Sequence, residues 1–166
     1  MTTIHLRSRI QFRDQQDLNQ SQLVISKFIE ACISQDASIF EPYMQEDDVF
    51  EDKEKYLFLA QLKDLFSEIK SEMPVPYYVA VRDSECCGCP EGKGKLVKHF
   101  ELKHRLSNKV LDGFAFIIDT ENGILKDIFR CYDYAGCLKV DLGGDDLPII
   151  TISRDVWKKM KKDILE

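Results

Sequence analysis

Three cysteines fall within four positions in the run Cys86-Cys87-Gly88-Cys89-Pro90, and thiolates this close can grip one zinc ion at ~2.3 Å without strain. A closed structural site needs four ligands, and Cys131, Cys137 and His99 are available to complete it. Zinc is therefore the cofactor to test, with Cys86, Cys89 and Cys131 as ligands. A plain strand meander would set the Cys86 loop at one end of a sheet and Cys131 near the other, unless the long loop from Asp83 to Lys95 folds across it. The same thiols also suit a disulfide, a redox pair or an inert turn.

Proton transfer near neutral pH calls for His, Asp or Glu. In the apolar-alternating stretch after Leu96, His104 shares parity with Phe100 and Leu102, whereas His99 runs with Val97, Glu101 and Lys103. His104 thus faces the apolar side, as a pocket base or as a satisfied core residue, and His5 falls on a polar side. Tyr43, Phe50, Tyr56, Tyr132 and Tyr134 offer apolar walls with polar tips for a cavity. Arg130 shares a strand face with Tyr132 and suits either an anion or solvent. Gly92-Lys93-Gly94-Lys95 lacks the spacing and the strand-to-helix setting of a phosphate loop.

The elements that must position these groups follow from periodicity. Ile4, Leu6, Ile10 and Phe12 alternate with polar residues, predicting an N-terminal strand or arm. Leu23, Ile25, Phe28, Ile29, Cys32 and Ile33 form one helical face, with Cys32 read as core. Asp36 caps a short second helix carrying Ile39, Phe40 and Tyr43, and a third runs from about Lys53 to Met73, before Pro74. Four strands follow: Tyr77 to Arg82, Leu96 to Arg105, Val110 to Asp119 and Ile124 to Tyr134, the last two joined through Asn122-Gly123. A strand from Ile149 to Ile152 and a helix with Val156, Trp157, Met160 and Ile164 close the chain.

At 166 residues, the length suits one domain: an arm over 1–18, a core over 19–135 and an extension over 136–166. Acidic residues outnumber basic ones 29 to 23, and the basic ones are scattered, so nucleic acid is not an expected partner. The lysines at 158, 159, 161 and 162 are diluted by Asp155, Asp163 and Glu166, and read as a solvated helix face rather than a membrane-binding one. No apolar run approaches the ~20 residues of a spanning helix, and residues 1–18 lack the apolar core of a secretory signal, so the expected compartment is the cytoplasm.

Three helices, the second short, and then a four-strand meander resemble the nuclear transport factor 2-like (cystatin-like) superfamily. The resemblance covers residues 19–135 and is carried best by "FIEACISQDASIFEPYMQEDDVFEDKEKYLFLAQLKDLF" from Phe28 to Phe66. It implies an α+β fold in which a curved antiparallel sheet wraps the helices as a cone, here with an added N-terminal strand and a C-terminal strand-helix tail. The Cys-x-Gly-Cys of Cys86 to Cys89, with "DIFRCYDY" from Asp127, also looks like small bacterial proteins of unknown function. Within the superfamily, the cone's open end commonly holds a small-molecule pocket and the sheet's exposed face commonly pairs, which implies a homodimer. The resemblance sets Asp47 and Asp48 where the short strand meets the long helix, near which some enzymatic relatives place a carboxylate base; beside Glu46, Glu51 and Asp52 they also read as a solvated turn that favours the next helix's positive end. Two readings follow. One is a non-catalytic module that binds a small ligand or a second copy, with Tyr43, Tyr56 and Arg130 at the pocket and the cysteine loop serving structure or a zinc ion. The other is a lyase or isomerase in which Asp48 or His104 takes a proton while Tyr43 or Tyr132 polarises a carbonyl.

Overall fold

Asn19 starts the first helix through a reciprocal cap. Its side chain accepts from the Gln22 N–H at 2.9 Å, while the Gln22 side chain accepts from the Asn19 N–H at 3.0 Å, so two N–H groups that no helical turn satisfies are paired. The computed structural model describes residues 10–72, 77–82, 96–104, 110–118, 124–130, 150–156 and 158. In it the helix α1 runs Gln20–Ser34. Ile25, Phe28, Ile29, Cys32 and Ile33 are buried as their spacing predicts, but Val24, Ser26 and Ala31 are buried as well. The helix is enclosed on more than one side, which a single apolar stripe does not reveal.

Gln35 ends α1 in the left-handed region at φ 50°. The Asp36 N–H bonds back to the Ala31 carbonyl at 3.0 Å and the Gln35 N–H to the Cys32 carbonyl at 3.4 Å, the pairing of a Schellman cap, where glycine is the usual residue. Gln35 is buried, and its Nε2 has no hydrogen-bond partner among the described residues. Asp36 then caps the next turn, accepting from the Ser38 N–H at 3.0 Å. The short second helix expected here is instead two single 3-10 turns, Ala37–Ile39 and Glu41–Tyr43. Pro42, at the start of the second turn, lacks the N–H that would continue an α-helix through Phe40.

The expected long helix is α2, Lys55–Glu72, which buries Phe58, Leu59, Leu62, Leu65, Phe66 and Ile69 at helical spacing. It starts two residues later than expected because Lys53–Glu54 is a strand. The four predicted strands form one antiparallel meander in chain order: β4 (Tyr77–Arg82), β5 (Leu96–His104), β6 (Val110–Ile118) and β7 (Leu125–Arg130). The architecture is α+β, as the periodicities require. Two bulges interrupt the register. Leu111 is skipped between the pairs Leu102↔Asp112 and Lys103↔Val110, and Lys126 between Ile117↔Asp127 and Ile118↔Leu125.

The first and last of the described strands pair in parallel. β1 (Ile10–Arg13) lies beside β8 (Ile150–Ser153), in register from Ile10↔Ile150 to Arg13↔Ser153. Residues 4–9 of the expected N-terminal strand lie outside the described residues. β8 rests on α1 through a buried polar bond: the Ser153 N–H donates to Ser26 Oγ at 2.9 Å, and the Ser26 hydroxyl donates to the Gln22 carbonyl at 2.8 Å. Ser26 thereby satisfies a strand N–H that burial would otherwise leave orphaned.

Phe28 stands at the middle of the core. Its ring centroid is 4.9 Å from Phe114, 5.1 Å from Phe40, 5.8 Å from Phe116 and 6.2 Å from Phe58. The contacts to Phe40, Phe114 and Phe116 are edge-on, the orientation favoured by the ring quadrupole. Phe28→Ala should destabilise the chain by about 3–5 kcal/mol, read as a lower urea midpoint with unchanged slope. Gln35→Gly should stabilise it by about 1 kcal/mol, since glycine carries no left-handed penalty and leaves no orphaned donor; the check is a rise in thermal midpoint.

Candidate functional site

The acidic segment that follows Tyr43 folds into a tight turn and a small hairpin. Asp48 Oδ2 accepts from the Gln45 N–H at 2.8 Å, and the Asp48 N–H donates to the Gln45 carbonyl at 3.2 Å, an arrangement that Asp side chains offer to turns. Val49–Phe50 (β2) then pairs with Lys53–Glu54 (β3). Alternation decides what each strand residue does. Phe50 is 4% exposed and Val49 56%; the Phe50 ring packs 5.5 Å from Phe58 and 6.5 Å from Phe40. Phe50, expected as a cavity wall, is part of the packed core.

The two-residue turn between β2 and β3 is Glu51-Asp52, with φ 53° and 59°. Positive φ at both positions marks a type I′ hairpin, which Asn-Gly or Asp-Gly fills at least cost. Four contacts from three residues hold Glu51 there. Its N–H donates to Asp127 Oδ1 at 2.8 Å, and its carbonyl accepts from Lys53 Nζ at 3.1 Å. Its Oε1 accepts from the Arg130 N–H at 3.3 Å, while Oε2 lies 3.4 Å from Lys53 Nζ. Residues 76 and 79 positions away in the sequence are thus brought to one turn. The bulge at Lys126 precedes Asp127, and bulges commonly re-aim the side chains beside them.

The sequence-derived site residues have separate surroundings. Tyr43 is half-buried beneath Lys27, whose Nζ sits 5.3 Å above the ring centroid in a cation–π contact. Lys27 also pairs with Glu30 at 3.2 Å, each side chain 15% exposed. Tyr56 is 61% exposed, and its hydroxyl lies 3.4 Å from Glu46 Oε1, which Lys55 approaches at 3.3 Å. The Arg130 side chain is exposed on β7, and Asp47 is exposed beside Asp48. His104 pairs with Tyr77 in the strand register. Tyr132, Cys86, Cys89 and Cys131 lie outside the described residues, and among the described residues no group of three or more His, Cys, Asp or Glu side chains is gathered so as to hold a metal ion.

Sequence reasoning missed the Glu51, Lys53, Asp127 cluster and the Lys27–Glu30 pair. The i,i+3 spacing of the latter was a readable signal. The hairpin gave none, because Glu-Asp is not a turn dipeptide that composition points to. Among the described carboxyls, Asp36 titrates below the ordinary aspartate value because the Ser38 hydroxyl, at 2.6 Å, and the Ser38 N–H both donate to it. Asp36, Asp48, Glu51 and Asp127 accept from backbone N–H groups, and Glu30, Glu46 and Glu51 pair with lysines, bonds that position the chain. No helix among the described residues is long and apolar enough to cross a membrane.

No protein-family model matches the chain, and no curated protein matches it. Solved structures do overlap with it. An NTF2-like protein of unknown function from Cytophaga hutchinsonii is 10% identical, with a TM-score of 0.40, over 69% of this chain and 91% of that one. A candidate polyketide cyclase from Xanthomonas campestris pv. campestris is 12% identical, with a TM-score of 0.34, over 70% and 92%. A second candidate polyketide cyclase, from Pseudomonas putida, is 15% identical, with a TM-score of 0.30, over 69% and 92%.

The Asp36 shift fixes the sign of a pH effect. Its folded-state value lies below the unfolded one, so the Ser38 bonds contribute fully above the unfolded value of ~3.9. That contribution is lost as pH falls through the folded value. The urea-midpoint gap between the wild type and Asp36→Asn should be flat above ~pH 5 and shrink below it. Ser38→Ala should raise the Asp36 titration midpoint, followed by NMR.

Proposed function

We propose that this chain is a non-catalytic module that binds a small ligand or pairs with a second copy of itself, its described ionisable groups serving structure. The observation that carries the non-catalytic part of this reading is the aromatic packing where α1 and α2 meet the sheet. Phe28, Phe40, Phe50, Phe58, Phe114 and Phe116 are all buried and linked by ring contacts of 4.9 to 6.5 Å. A lyase or isomerase needs a base within ~3 Å of the proton it removes, beside a space for substrate. Asp48, the carboxylate best placed by sequence for that role, holds the Gln45 N–H instead.

Pairing through the face of the meander is the form of self-association that this reading favours. Two measurements test it together: light scattering at high micromolar concentration, and deuterium incorporation from D2O into the α-carbons of a panel of small ketones, followed by NMR. The expected result is a dimer or a saturable ligand-induced rise in thermal midpoint, with no exchange above background. Exchange that the wild type accelerates and that Asp48→Asn or His104→Asn abolishes would overturn the proposal.

A further inference from the structure

β1 lies on β8 as an added peptide lies on a sheet. Phe12 packs against the core while Gln11 and Arg13, on either side of it, are exposed, and Thr151, Ile152 and Ser153 of β8 are all buried. One inward anchor on a ladder of main-chain bonds is how an added strand is recognised: the ladder gives affinity and alternate side chains give specificity. The pairing is parallel, so no hairpin turn joins the two strands and no short connection sets their register. Nothing in the register from Ile10↔Ile150 to Arg13↔Ser153 requires both strands to come from one chain.

The link from β1 to α1 is lightly held. Asp14, Gln15, Gln16 and Asp17 are all exposed, and the 3-10 turn Gln15–Asp17 buries no residue and has no side-chain cap. The turn is closed by the Asp17 N–H, which donates to the Asp14 carbonyl at 2.9 Å, and by the Leu18 N–H, which donates to the Gln15 carbonyl at 3.2 Å. The Asp14 side chain instead faces Arg154 at 3.3 Å, both side chains more than half exposed, a pair that solvent leaves weak. Drawn straight, residues 14–18 reach ~17 Å, well beyond the ~4.8 Å between neighbouring strands. The reciprocal cap between Asn19 and Gln22 holds the start of α1 whether that turn is closed or open.

We infer that β8 accepts β1 from a second copy of this chain, so that two chains exchange their first described strands and each completes the other's β1–β8 pair. The exchanged pair keeps the contacts of the closed one outside the turn, so concentration and the Gln15–Asp17 turn set the balance. Strand exchange is distinct from pairing through the face of the meander, which leaves β1 on its own β8.

The test uses full-length Arg154→Lys, which keeps the charge opposite Asp14 and supplies an amine for a zero-length carbodiimide cross-link. Protein grown on light nitrogen and protein grown on heavy nitrogen are mixed equally, unfolded in urea, refolded together at high micromolar concentration, cross-linked and separated by size. Expected is a dimer fraction in which about half of the peptides joining Asp14 to position 154 carry one light and one heavy partner, the share that random exchange gives. A dimer whose joined peptides always share one label would overturn the proposal and leave face pairing standing. A chain that stays monomeric, with same-label peptides throughout, would overturn it as well. So would the absence of any cross-link between the two positions, because the Asp14 contact is part of the pairing that is exchanged.

Discussion

Phe28 has one ring and must serve four neighbours, and this constraint organises the chain. From the middle of α1 it meets Phe40 from the segment between the helices, Phe58 from α2, and Phe114 and Phe116 from β6. Interiors pack at crystal-like density, so a ring touching four others fixes all of their positions at once. The 3-10 turns, the start of α2 and the register of the sheet are thereby set relative to α1. Phe50 extends the same packing to the hairpin through Phe40 and Phe58.

The polar structure is arranged around that apolar centre. Bonds from α1 side chains serve strands on either side of it: Ser21 takes the Leu125 N–H, and Ser26 takes the Ser153 N–H. The two serines sit five residues apart on one helix yet bind strands more than 20 positions apart in the chain. Each hydroxyl accepts a strand N–H, so the helix performs part of the hydrogen bonding that a neighbouring strand could otherwise provide.

How far the sequence discloses this depends on the range of each interaction. The α1 stripe, the α2 stripe and the four strands are local patterns, and Tyr77–Arg82 forms with the bounds its residues predict. Asp36 as a cap was legible because its partner Ser38 is two residues away. The β2–β3 hairpin was hidden inside an acidic run, since Glu51 and Asp52 lack the turn chemistry that Asn122-Gly123 displays. Its stabilising partners, Asp127 and Arg130, belong to another element altogether. Of the candidate site residues, Tyr43 could be assigned to a partly apolar environment from its spacing. That Lys27 covers it, and that Asp48 is committed to Gln45, are matters of three-dimensional packing that no one-dimensional pattern carries.

The parallel pairing of β1 with β8 has a consequence for synthesis. Ile10 leaves the ribosome before α1, and its partner Ile150 only after α1, α2 and the meander. Until then Ser26 of α1 lacks the Ser153 N–H that it accepts from. Loop closure over such a separation is slow compared with local folding. The nascent chain therefore carries a helix ready to bind a strand before its own strand exists, and that interval is when a chaperone, or another unfinished chain, has its best access to it.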